Sequence, residues 1–136
     1  MKILQSNRAE GYIDTVVCVM AAMRVIVLAL NVFRFLTLKQ DLDYFAKELI
    51  DTATIHGRTS NEAPERYDEL CAELRIRPTV SFTGTQYYNS ATGKVQLGDT
   101  ICVQVTYRTY LQGFGAFRIP ITLIARHTGL SQKYWK

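Results

Sequence analysis

From Thr15 to Phe33 the chain reads TVVCVMAAMRVIVLALNVF, a run whose only charge is Arg24. As a helix this run spans about 28 Å, close to the hydrocarbon thickness of a bilayer. A helix on the surface of a soluble domain carries one apolar stripe, whereas this one is apolar nearly all round. It therefore needs either lipid or a core that encloses it on every side, and little chain follows to build such a core. A cleaved secretory signal fits poorly, because Arg24 splits the apolar region and no A-x-A site follows. A single membrane-spanning helix is the preferred reading, and a buried helix of a soluble domain is the alternative. Arg24 is the cost of the preferred one, about 2.5–3.5 kcal/mol at mid-membrane on insertion scales.

The helical pattern does not stop with the apolar run. Phe35, Leu38, Leu42, Phe45, Leu49 and Ala53 follow at spacings of three and four, with Arg34, Lys39, Asp41, Lys47, Glu48 and Asp51 between them. This predicts an amphipathic continuation with one face on a partner and the other in water. Gly57 is the expected stop, and His56 reads as a surface or cap residue. After GRTSN, Ser60 or Asn61 is placed to cap a second, short helix with Pro64 in its first turn. Ala63, Tyr67, Leu70, Cys71 and Leu74 form its apolar face, and its acids read as a solvated surface.

Composition makes sense only once the chain is divided this way. Its 136 residues are 48% hydrophobic and 21% charged, with a mean hydropathy of -0.02. That average excludes a disordered chain, yet it sums a membrane-like segment and an ordinary water-soluble remainder. Sixteen basic residues against twelve acidic give +4. The cations are scattered, without the cluster expected of a nucleic-acid face, so no nucleic-acid partner is expected. The charge balance on the two sides of the run is too even to fix its orientation.

Beyond Pro78 the pattern turns to period two. Val80 and Phe82 alternate with polar residues, and Val95 and Leu97 suggest another short strand. Ile101, Val103, Val105 and Tyr107 face one way on a longer strand, and Cys102, Gln104, Thr106 and Arg108 the other. The stretch Gln112-Gly113-Phe114-Gly115 is expected to turn the chain into a last strand with Phe117, Ile119, Ile121 and Leu123. Pro120 there argues for an edge strand or a bulge. The predicted class is α+β: a long N-terminal hydrophobic-then-amphipathic helix, a short second helix, and an antiparallel sheet of about four strands. The sheet would bury one face on the amphipathic half of the long helix.

The residues that carry chemistry do not assemble into a catalytic set. There is no G-x-S-x-G, phosphate-cradling glycine loop, HExxH or histidine pair. No enzyme, cofactor or metal site is expected. His127 is expected on the solvent side of the last strand. Tyr87, Tyr88, Tyr107 and Tyr110 read as sheet packing rather than a stacking platform. Of the three cysteines, Cys18 reads as a small hydrophobe in the apolar run. Cys71 and Cys102 could bridge on an exported domain, but their separation in sequence does not establish a pair.

A short polar leader, an acid, an apolar helix continuing as an amphipathic one, and then a small sheet resemble type IV pilin-like proteins. The resemblance is closest to the TadE-like pseudopilins, in an uncharacterised Gram-positive branch. It includes GDTICVQVTYRTYLQGFGAFRIPITLIARHTG, similar to that branch's C-terminal hairpin, and the ending GLSQKYWK. It implies that a prepilin-type peptidase cuts after a small residue, with an acid at the fifth mature position. A cut between Ala9 and Glu10 places Asp14 there. The family's usual pattern has Gly before the cut and Glu as the acid, and this chain departs from both. A cut after Gly11 would put Val16 at that position, which supplies no acid.

The resemblance divides the chain into a leader-like segment (1–9), a transmembrane and amphipathic helix (10–57) and an exported α+β domain (58–136). It implies a single-pass protein of the cell membrane with an extracellular C-terminal domain. Its partners would be other pilin-like subunits or assembly-platform proteins of a pilus, secretion or conjugation apparatus. From the residues themselves comes a further expectation. Asp14 and Arg24 lie about 15 Å apart along the helix, so two helices offset by that distance would pair them across subunits. The alternatives are an unprocessed single-pass protein with a partner-binding exported domain, and a soluble small α+β ligand-binding domain or enzyme.

Overall fold

The computed structural model describes the backbone of residues 2–112 and 117–136, with side chains from Glu10 onward in those stretches. The element order is α1 (Lys2–His56), α2 (Glu62–Leu74), β1 (Thr79–Ser81), β2 (Thr100–Gln112) and β3 (Arg118–Leu130). This is an α+β fold with one long apolar N-terminal helix, a short second helix and a small antiparallel sheet. The turn expected at Gly113–Gly115 lies outside the described residues.

No glycine or proline interrupts the chain between Gly11 and Gly57, and α1 runs as one helix of 55 residues, about 82 Å long. It ends where expected. Gly57 takes φ +60°, and the N–H of Arg58 reaches back to the carbonyl of Ala53 at 3.3 Å, which together close the helix with a Schellman turn. Exposure divides α1 into two unlike parts. Residues 10–26 are exposed throughout, Val27, Asn31, Phe35 and Leu38 are half-buried at spacings of three and four, and Leu42, Phe45, Ala46, Leu49, Ile50 and Ala53 are buried. The predicted amphipathic face is thus the core face.

The start of α2 differs from expectation. Asn61 stands at the cap position with no side-chain cap bond, and Ser60 donates instead to the carbonyl of Thr92 at 2.8 Å. Ser60 is committed to the loop it faces, and the acids Glu62 and Glu65 in the first turn complement the helix dipole. Ala63, Leu70 and Cys71 are buried against α1, with Tyr67 and Leu74 partly so. The Tyr67 ring meets Phe45 edge-on, 5.5 Å between centroids, and its hydroxyl donates to the carbonyl of Pro78 at 2.9 Å. Burial and contact with Cys71 push the Tyr67 phenol up from its ordinary range. Arg66 joins the two helices, donating to Glu69 at 2.8 Å and Glu48 at 3.0 Å.

The sheet is a meander in the order β1-β2-β3, antiparallel throughout. Among the described residues it has three strands, where about four were expected. Val95 is fully buried, but its stretch forms only isolated bridges, with Arg58 and Asn89 pairing to Lys94. The Val95 N–H bonds to the carbonyl of Gly57 at 2.9 Å, so this residue closes the end of α1 instead of extending a sheet.

On β2, Ile101, Val103, Val105 and Thr109 are buried and alternate with more exposed neighbours, as the period-two pattern predicted. Pairing of Val103 with His127 and of Val105 with Ala125 puts the odd-numbered residues of β3 on the same inner face. His127 is therefore half-buried on the helix side of the sheet, not on its solvent side. Pro120 lies on the edge strand β3 opposite Tyr110, where a missing N–H is tolerated. Of the four tyrosines read as sheet packing, Tyr107 packs on the core. Tyr110 is exposed on the outer face, and Tyr87 and Tyr88 lie in the loop after β1.

Candidate membrane-spanning helix

The feature that most demands a function is the first half of α1. Its most apolar 18-residue window has a mean hydropathy of 2.4, and none of that window is buried. Val16, Val17, Val19, Met20, Met23, Val25, Ile26, Leu28 and Leu30 each expose more than half of their area. An apolar surface this large and continuous does not face water in a stable monomer. Its length and all-round apolarity suit a bilayer, and the architecture is that of a small membrane-associated α+β domain.

The polar groups along this segment fit that setting. Thr15 donates its hydroxyl to the carbonyl of Gly11 at 2.8 Å, and Asn31 donates its amide to that of Val27 at 2.9 Å. Both satisfy side-chain donors within the helix, as a low-dielectric medium requires. Tyr12 near one end and Phe33 near the other are exposed. Asp14 and Arg24 are also exposed on this stretch. They lie on one helix, too far apart to meet within a chain, so only a second copy could bring them together. The Ala9–Glu10 peptide lies within the helical backbone of α1.

The cysteines do not pair. Cys71 is buried on α2, Cys102 lies on the outer face of β2, and all three are free thiols. The sheet separates Cys71 from Cys102: the backbone N–H of Cys102 donates to the Thr85 hydroxyl at 3.1 Å, and its Sγ lies 3.7 Å from the Thr128 hydroxyl. A bridge would require one of them to cross the sheet. Among the described residues no group of three or more His, Cys, Asp or Glu could hold a metal ion. An open cleft of about 430 Å³ lies between α1, α2 and β1, lined mainly by Leu49, Ala63, Tyr67, Pro78, Val80 and Phe82, with Arg77 as its charged wall.

Two features near the far end of α1 lie beyond the reach of local sequence pattern. Trp135 donates its ring N–H to the carbonyl of Gly57 at 3.2 Å, and Gln96 grips its backbone on both sides, at 2.7 and 2.9 Å. The guanidinium of Arg58 and the ammonium of Lys94 lie 4.4 and 4.5 Å from the ring centre, within cation–π range. The C-terminal residues thus clamp the helix end. A lone tryptophan beside two lysines in the sequence was the available signal, but its partners are distant in the chain.

No curated protein and no solved structure matches the chain. Residues 19–136 match one family, described as a domain of unknown function. The match begins inside the apolar run and takes in the rest of α1 and the whole α+β domain, so the chain belongs to the DUF4320 family.

Proposed function

We propose that this protein is a non-enzymatic, membrane-anchored, pilin-like structural subunit of a pilus, secretion or conjugation-associated apparatus. One observation carries the reading: a single unbroken helix is exposed over residues 10–26, apolar from Thr15 but for Arg24, and forms the domain core from Leu42 to Ala53. Such a helix anchors the subunit in the bilayer and offers a long face for helix–helix assembly, with the sheet domain held on one side. The order of elements that resembles TadE-like pseudopilins supports this reading. In this reading the domain lies outside the cell, where assembly partners would meet it.

In this account a prepilin-type peptidase cuts between Ala9 and Glu10, and Asp14 supplies the acid near the new terminus. A carboxylate at the edge of an apolar helix is costly without a cation or donor. The new amine of a neighbouring subunit, or its Arg24, supplies one. A second reading is supported by the continuity of α1 across the Ala9–Glu10 peptide: an unprocessed single-pass protein whose domain binds a partner. The intact mass of the protein isolated from its native membrane separates the two. Glu10 as first residue is the expected result, and a retained N-terminal segment in a strain that has the peptidase would overturn processing.

A further inference from the structure

We infer that the cations around Trp135 are a docking point for a second copy of this chain, which they receive by the acidic outer face of its α2. This rests on the reading of the chain as an assembling subunit. Arg58, Lys94 and Lys133 place their charges 4.4, 4.5 and 5.8 Å from the centre of the Trp135 ring. No two of them are therefore more than about 10 Å apart, close enough to repel. Among the described residues no acid lies within ion-pairing distance of any of the three. Arg58 Nε is buried without a hydrogen-bond partner. Attraction to the indole offsets part of the repulsion, about 0.5–2 kcal/mol for each cation, but it neutralises no charge.

The second helix carries the complement. Its buried residues Ala63, Leu70 and Cys71 share one side. At about 100° per residue, Glu65, Asp68 and Glu69 fall on the opposite side. All three are exposed, and of them only Glu69 has an ion-pair partner, Arg66. They extend over about 6 Å of helix, within the breadth of the cationic cluster. The cluster and these acids stand at different heights in one chain. Trp135 bonds Gly57 at the end of α1, whereas Arg66 and Tyr67 meet Glu48 and Phe45, about 14–18 Å back along the helix.

That difference in height sets how two copies fit. With their long helices parallel, the acids of one copy reach the cluster of another when the first is shifted outward by about 14–18 Å. Asp14 and Arg24 ask for the same shift. The outer copy's Asp14 meets the inner copy's Arg24 at an offset of about 15 Å, in the same direction. Charges in two separate parts of the chain thus specify one axial step. The cluster and the acidic face are different patches, so the contact is heterologous. Because each step moves along α1, it repeats into an open array and does not close as a pair.

Full-length chain, mixed from unlabelled and isotopically labelled preparations and reconstituted in phosphatidylcholine vesicles, tests this. A water-soluble carbodiimide joins carboxylates to amines that touch them. Lys94 or Lys133 is expected to couple to Glu65, Asp68 or Glu69 in mixed-label peptide pairs, with a yield that falls severalfold in high salt. This readout uses the parent chain and does not depend on any variant folding. In mild detergent, a Lys94→Glu, Lys133→Glu chain and a Glu65→Lys, Asp68→Lys chain should each lose the parent's assembled species, and their mixture should regain it. Coupling confined to single-label pairs would place the contact within one chain and overturn the inference. Mixed-label coupling elsewhere, but none between the cluster and α2, defeats this contact and leaves the subunit reading standing. Absence of mixed-label coupling at every site defeats both. Absence of the cluster–α2 coupling with a Trp135 emission shift on adding inorganic polyphosphate would assign the cluster to a phosphate-bearing ligand, and also overturn the inference.

Discussion

Lys39 of the long helix and Ile124 of the last strand, 85 residues apart in the chain, are joined by a 2.7 Å hydrogen bond from ammonium to backbone carbonyl. The same ammonium pairs with Asp43 at 3.1 Å. This contact lies between the bare half of α1 and the first buried core residue, Leu42, so it ties the sheet edge to the helix where the domain begins. Lys39→Met is expected to cost the domain about 1 kcal/mol or less, since both ion-pair partners are well exposed. Its main effect should be local, as faster amide exchange along Arg118–Ile124 with the rest of the domain unchanged.

The two halves of α1 should respond oppositely to substitution. Phe45→Ala removes a fully buried ring that packs edge-on against Tyr67 and should destabilise the domain by about 3–5 kcal/mol. It should leave membrane association intact. Leu28→Arg should spare the domain but disfavour insertion by about 2.5–3.5 kcal/mol. Chemical denaturation in detergent, followed by Trp135 fluorescence, and membrane fractionation of the same variants check the two effects separately.

At the far end of α1, Gly57 combines φ +60° with a crowded site. A Cβ there would lie 2.5 Å from Lys133 Cβ and 3.1 Å from the Trp135 ring nitrogen. Gly57→Ala is therefore expected to cost about 1–3 kcal/mol through backbone strain and displacement of the clamp. A lower denaturation midpoint with an altered Trp135 emission maximum in the folded state would register both.

Tyr67 makes the domain sensitive to alkali. Its phenol is held above the ordinary value of 10.0 in the folded state, first by burial. The folded form thus keeps its proton longer than the unfolded form. The contribution is fully present below about pH 10 and is lost as pH rises through the raised folded value. Tyr67→Phe should lose about 1 kcal/mol at neutral pH with the bond to Pro78. It should also flatten the decline in stability above about pH 10. Denaturation midpoints across that range measure it.

Much of this architecture is legible in the sequence. The switch from an all-round apolar run to a spacing of three and four located both parts of α1, because burial on one face leaves a periodic trace. The alternation Ile101, Val103, Val105 on β2 did the same for the inner face of the sheet. Local pattern failed where long-range contacts decide. Val95 has the look of a strand residue but plugs the end of α1, and Ser60 has the look of a cap but bonds Thr92. His127 took its side from its pairing with Val103, which no local window contains.

The central claim is that the bare half of α1 spans a bilayer while the α+β domain stays in water. Alkaline extraction of membranes from cells making the full chain tests it most directly, since alkali strips proteins held only through folded-domain contacts. The chain is predicted to remain in the membrane pellet. Release into the soluble fraction would contradict the claim.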